Sequence, residues 1–243
     1  DRLRSRGLGD VYKRQNNGEA EGRQAIANFN VASYRARYAD LRSAFGNNLK
    51  AYYDHYRING YAEGRVATGS TELQNPTTVY NGVDYKLVYD YNYYINKYPD
   101  IKAAFNGDEN ATLRHFVECG MNEGRQGKAS FNVAAYRANY ADLRSAFGRN
   151  LKAYYMHYIG SGYREGRKAT GNGVLKNPVT VYNGVDYSLV YDYNYYISKY
   201  SDLKAAFYGD DTAALRHFVA VSYTHLRAHD TGAYLVCRLL LEK

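Results

Sequence analysis

The sequence predicts an all-α chain of tandem helical repeats, stacked as a short solenoid. Each unit of about 42 residues should hold two longer helices plus one short helix. Three observations predict this. Residues 29–106 and 131–208 are nearly the same sequence displaced by 102 positions. Within each copy a weaker repetition recurs: 29–65 aligns with 89–125 at an offset of 60, and 89–125 with 131–167 at an offset of 42. One unit thus occurs four times in the order A-B-A-B. Inside a unit, Val31, Tyr34, Tyr38, Leu41 and Phe45 step by 3, 4, 3 and 4 and share one helical face. Self-similarity at a fixed period marks units that bury their apolar faces against one another.

The units fall at 29–67 (A1), 89–130 (B1), 131–169 (A2) and 191–220 (a truncated B2), with connectors at 68–88 and 170–190. Residues 16–28 continue the pattern of 118–130 and read as the remnant of a further B unit. The flanking segments 1–15 and 221–243 break the repeat part-way and resemble translated sequencing-adaptor read-through, so they are set aside as foreign. Without them the net charge falls from +8 to +4, and no basic run remains to neutralise a phosphate backbone. A nucleic-acid partner is therefore not expected. Cys237 leaves with the tail, and Cys119 alone makes neither a disulfide framework nor a metal-ligand pair. No apolar run approaches the roughly 20 residues of a membrane span, so membrane insertion is not expected either.

Along one unit, Asn30 and its counterparts Asp90, Asn132 and Asp192 read as N-caps. The aromatic before each (Phe29, Tyr89, Phe131, Tyr191) can staple to the tyrosine five residues later. Pro99 is tolerated only at the start of a helix, which predicts a break near Tyr38 and its equivalents. A short helix over ADLRSAF or PDIKAAF follows, with Asp40, Asp100, Asp142 and Asp202 in its first turn. Gly46 with Asn47 or Asn48 makes a turn and cap. A third helix, with Leu49, Tyr52, Tyr53 and Tyr56 inward, ends at Gly60. Before each B unit, Asn81-Gly82 and Asn183-Gly184 mark a tight turn with little or no sheet.

Residues 16–220 hold 27 of the 30 tyrosines and all eight phenylalanines. A buried hydroxyl without a partner costs about 1–3 kcal/mol, so Phe should mark the drier positions. On that argument Phe45, Phe105, Phe147 and Phe207 are expected to be the deepest residues, with tyrosines as a shallow shell. Tyr80, Tyr85, Tyr93, Tyr182, Tyr187 and Tyr195 lie off the helical stripe. They are the candidate ligand-binding residues, because sugars stack on aromatic faces while phenols hydrogen-bond at the edge. Weak contacts of this kind gain from repetition.

Catalytic chemistry finds no constellation. His55, His115, His157 and His217 recur once per unit and cannot readily converge on one metal, so packing histidines are expected. The Glu-Gly-Arg triplets at 21–23, 63–65, 123–125 and 165–167 suit a left-handed glycine flanked by a joint-setting ion pair. No nucleophile motif, phosphate loop or zinc pattern occurs. The reading is a chain without catalytic residues, cofactor or metal.

Written as Y-x3-Y-[APS]-D-[LI]-x2-A-F…H-[YF]-x3-G-x2-E-G-R, the unit resembles a tyrosine-rich repeat of secreted and surface proteins of Gram-positive bacteria, where such arrays accompany cell-wall hydrolase modules. The resemblance covers 16–220. It implies an extracellular, cell-surface location and a role in envelope attachment or spacing. Cell-wall polysaccharide or peptidoglycan is the implied partner. A protein–protein adhesion or scaffold surface is the alternative.

Overall fold

The computed structural model describes residues 18–105 and 107–220, and both segments set aside as foreign lie outside the described residues. The chain divides into two compact units between Cys119 and Gly120, each holding an A–B pair. The first contains α1 (Val31–Arg37), α2 (Ala39–Phe45) and α3 (Leu49–His55). A ribbon of β1 (Val79–Tyr80) and β2 (Val83–Asp84) follows, then α4 (Tyr91–Lys97), α5 (Pro99–Phe105) and α6 (Glu109–His115). The second repeats the order with α7 (Val133–Asn139), α8 (Ala141–Phe147) and α9 (Leu151–His157). After β3 (Val181–Tyr182) and β4 (Val185–Asp186) come α10 (Tyr193–Lys199), α11 (Ser201–Phe207) and α12 over 211–220. The architecture is an all-α arrangement of repeated helical units.

Local chemistry sets each boundary. Asn30, Asp90, Asn132 and Asp192 accept from the backbone N–H three residues on, capping the first helices as expected. Tyr38, Tyr98, Tyr140 and Tyr200 are extended, ending one helix and opening the next. Pro99 occupies the first position of α5, where its missing N–H costs nothing. First and second helices are therefore equal at seven residues. The third is the longer, because it runs on through five π-helical residues at Tyr56–Gly60, Phe116–Gly120 and Tyr158–Gly162. Asn81 and Gly82 both take positive φ, 48° and 78°, giving the mirror-image turn that suits strand twist. The ribbon it joins is two residues per strand, with Val79 opposite Asp84 and Tyr80 opposite Val83.

The cores reverse one expectation. Phe45, Phe105, Phe147 and Phe207 are only half-buried, whereas Tyr34, Tyr52, Tyr94, Tyr136 and Tyr154 are fully buried. The reason is that their hydroxyls are satisfied internally. Tyr52 and Tyr154 each donate to a backbone carbonyl, Gly46 O and Gly148 O, at 2.9 Å. Tyr34 pairs with Nδ1 of His55 at 2.9 Å, and Tyr136 with Nδ1 of His157 at 2.9 Å. The recurrent histidine is thus the partner of a buried phenol 21 residues earlier. Phenylalanine is dry at the staple instead: Phe29 and Phe131 are buried and stack on Tyr34 and Tyr136.

A second contact was not legible in the sequence. Arg42 is buried, and all five of its N–H groups are used. Nε donates to Glu109 at 2.7 Å, Nη1 to Arg35 O and Ala36 O, and Nη2 to Gln74 O and Asn75 O. Arg144 repeats the pattern with Asp211 at 3.2 Å, Arg137 O, Ala138 O, Lys176 O and Asn177 O. One side chain joins the end of the first helix, the connector and the first turn of the B unit's third helix. Asn75 and Asn177, at φ 50° and 48°, adopt the left-handed backbone in the connector that supplies these carbonyls.

A Cβ on Gly162 would sit 2.1 Å from the Tyr136 hydroxyl, whereas one on Gly160 meets nothing within 4 Å. Gly162→Ala should therefore lower stability by about 1–3 kcal/mol in urea unfolding. Gly160→Ala, in the same turn, should be neutral or stabilising by up to about 1 kcal/mol. Equal effects would refute the phenol–histidine account. Arg144→Met should cost about 3–5 kcal/mol, since it strands buried Asp211; a loss below about 1 kcal/mol would remove the arginine from its joining role.

Candidate functional surface

The Glu-Gly-Arg turn that ends each A unit closes back on that unit. Gly64 and Gly166 take φ of 69°, and Arg65 and Arg167 reach the short-helix carboxylates Asp40 and Asp142 at 2.9 and 2.8 Å. The same guanidinium groups lie over the Tyr38 and Tyr140 rings at 4.7 and 4.8 Å. Burial works to raise the Asp40 and Asp142 pKa values, but the arginine hydrogen bond and charge outweigh it and hold both below the usual carboxylate range. Burial also pushes the Tyr34 phenol up to about 12, with Arg65 pulling partly back, so it keeps its proton across ordinary pH.

The preceding triplet packs forward. Tyr53 donates to Arg23 O at 2.8 Å, and Tyr155 to Arg125 O at 2.9 Å. Residues 18–28 and 120–130 thereby belong physically with the A unit that follows them.

The six candidate tyrosines do not act alike. Tyr85 is 4% exposed and is a core residue, so its ring is not open to a ligand. Tyr182 and Tyr187 pack partly buried against the core of Leu175, Tyr191 and Leu215, and Tyr187 meets Phe218 edge-on. Tyr80 is half-buried and its hydroxyl donates to Glu118. Tyr93 carries the Lys97 ammonium 5.3 Å above its ring, and its hydroxyl accepts from the same group at 3.0 Å. Tyr195, at 66% exposed, is the open member of the set. The pattern failed at Tyr85 because a turn-flanking tyrosine off the helical stripe can still be folded inward by the ribbon.

Two open rings were missed. Tyr61 and Tyr163, inside the G-Y-x-E-G-R signature, are 76% and 57% exposed. Each meets a helix tyrosine edge-on, Tyr56 at 6.1 Å and Tyr158 at 5.9 Å, which holds its plane without covering it. Their recurrence immediately after the last helical glycine was the available signal.

Among the described residues no group of three or more His, Cys, Asp or Glu side chains could hold a metal ion, and no helix is long and apolar enough to cross a membrane. Comparison with protein-family models, with curated proteins and with solved structures returns no match.

Because Asp40 and Asp142 have folded pKa values below their unfolded ones, their stabilisation is present above about pH 4 and is lost as pH falls through the folded values. Both carboxylates are mostly exposed, so each pair contributes at most about 1 kcal/mol. The Asp40→Asn/Asp142→Asn variant should be slightly less stable than the parent at pH 7 and equal to it at pH 2. A gap that persists at pH 2 would assign the loss to something other than charge.

Proposed function

We propose that this chain is a non-catalytic, extracellular repeat module that attaches to or spaces the cell envelope through weak, multivalent contacts with cell-wall glycan. The observation that carries the reading is the recurrence of Tyr61 as Tyr163, an exposed ring held edge-on by a neighbour at the same place in both A units. Tyr93 and Tyr195 add a second repeated aromatic in the B units, the latter open to solvent.

An aromatic face suits the C–H face of a sugar, and a phenol at its edge suits the hydroxyls. A single such contact is weak. Two or more on one chain convert the second binding event into an intramolecular one, which raises overall affinity without new chemistry. The groups that recur internally, the histidines and the buried arginines, are consumed by hydrogen bonds within the fold. That leaves the outward rings as the repeated chemistry available to a partner.

The test is retention of the full chain on purified cell-wall polysaccharide and peptidoglycan. Tyr61→Ala/Tyr163→Ala should lower retention at least about tenfold, as expected for loss of avidity, with helical circular dichroism unchanged. Tyr195→Ala should weaken it further, whereas Tyr85→Ala should unfold the first B unit. Retention that survives the double substitution would refute the aromatic contact. Retention by a protein surface but not by wall material would favour an adhesion scaffold.

A further inference from the structure

We infer that the first compact unit contains a binding site for a short zwitterionic peptide. The site is a cleft of about 500 Å³ where α1, the connector, α4 and α5 meet, a volume within the roughly 300–1,000 Å³ usual for small-molecule sites. Its floor is apolar and open to a ligand: Leu49 and Ile95 are half-buried and Ala32 is exposed. Two free charges of opposite sign stand on different walls, Glu72 on the connector and Lys102 on α5. Both are exposed, and neither side chain makes a hydrogen bond or ion pair among the described residues. The Thr71 hydroxyl and the Asn96 amide, exposed on the same walls, are equally unengaged. The other charged groups that line the cleft are committed, Glu21 to Arg23 at 2.6 Å and Arg35 to Asn47 Oδ1 at 2.7 Å and Gly107 O at 2.9 Å.

The second unit supplies the comparison. Leu49, Leu73, Tyr91 and Ile95 recur unchanged as Leu151, Leu175, Tyr193 and Ile197, so the apolar frame is common to both copies. The polar walls change: Asn47, Thr71, Glu72 and Asn96 become Arg149, Gly173, Val174 and Ser198. Tyr208 closes over Gly173, where a Cβ would lie 3.1 Å from its hydroxyl, and Ile197 falls to 5% exposed. The cavity there shrinks to about 290 Å³. Both copies fold on the same frame, so the carboxylate and hydroxyl of the first cleft are not needed to build it.

The free charges define the ligand. One anion and one cation cancel, so the cleft favours a molecule that carries both signs over one with a net charge. A ligand ammonium fits Glu72 and a ligand carboxylate fits Lys102, each as a charge-assisted hydrogen bond. Glu72 and Lys102 do not pair with each other, so the ligand's charges must also stand apart. The two ends of a dipeptide meet that condition, whereas an α-amino acid carries both groups on one carbon. An aliphatic side chain then covers Leu49 and Ile95, and Asn96 and Thr71 serve the peptide bond. Neither Tyr61 nor Tyr163 lines the cleft, so the site stands independently of the aromatic glycan contacts.

Calorimetric titration of the full chain at low ionic strength tests the site, with L-alanyl-L-leucine as the probe. Its N-acetylated, C-amidated form is the uncharged counterpart, L-leucine the single amino acid and N-acetyl-D-glucosamine the uncharged sugar. One dipeptide should bind per chain, with no detectable binding of the capped form or the sugar and weaker binding of leucine. Glu72→Val, which installs the second unit's residue, and Lys102→Gln should each weaken the dipeptide at least about tenfold. Both change exposed residues, so helical circular dichroism should be unaltered. Absence of dipeptide binding, or binding indifferent to either substitution, would overturn the site. Capped dipeptide or sugar binding as tightly as the free dipeptide would overturn the zwitterion assignment, and leucine binding as tightly would overturn the peptide.

Discussion

The buried arginine of each A unit is the interaction on which the rest of the structure depends. Arg42 and Arg144 place one planar, five-donor group where the first helix ends, where the connector turns and where the B unit's third helix begins. No other side chain could satisfy carbonyls on three segments and a carboxylate at once. The corresponding B-unit residues, Lys102 and Lys204, are exposed. A lysine has no fork, so it cannot hold a connector in the same way. This is why A and B alternate, and why the physical building block is the A–B pair.

A second rule follows from the first: in these units polar groups go inside when their partners are built in. The fully buried tyrosines are deeper than the phenylalanines of the short helices because carbonyls and histidines meet their hydroxyls. At these positions the cost of an unpaired buried hydroxyl is avoided and the ring still contributes its apolar area, whereas the staple tyrosines Tyr89 and Tyr191 bury hydroxyls without a partner among the described residues. Gly60 and Gly162 belong to the same device, since a side chain there would occupy the space of the phenol. Tyr, His and Gly form one contact spread over 27 residues of sequence.

Near-identical copies also act as controls for one another. Where they agree, as at Arg42 and Arg144 or Tyr61 and Tyr163, the shared geometry is the property of the unit. Where they differ, the difference has a local consequence. Asn47 accepts from Arg35, whereas Arg149 at the matching position turns to Asp210.

By itself the sequence determined the helical class, the four-fold A-B-A-B repetition, the caps at Asn30 and Asp90, the break at Tyr38 and Pro99, and the tight turn at Asn81-Gly82. Each of these depends on groups within about five residues, where backbone geometry leaves few alternatives. The left-handed glycine of the Glu-Gly-Arg triplet was also legible, because Gly64 closes its turn locally. Only the tertiary structure decided which tyrosines are deep, that Tyr85 is core while Tyr61 is open, and that Arg42 rather than a surface pair joins A to B. Several of those outcomes turn on distant partners, such as His55, 21 residues from Tyr34, and Glu109, 67 residues from Arg42. Whether a polar side chain can be buried depends on where its partner lies in space, and spacing along the chain does not carry that information.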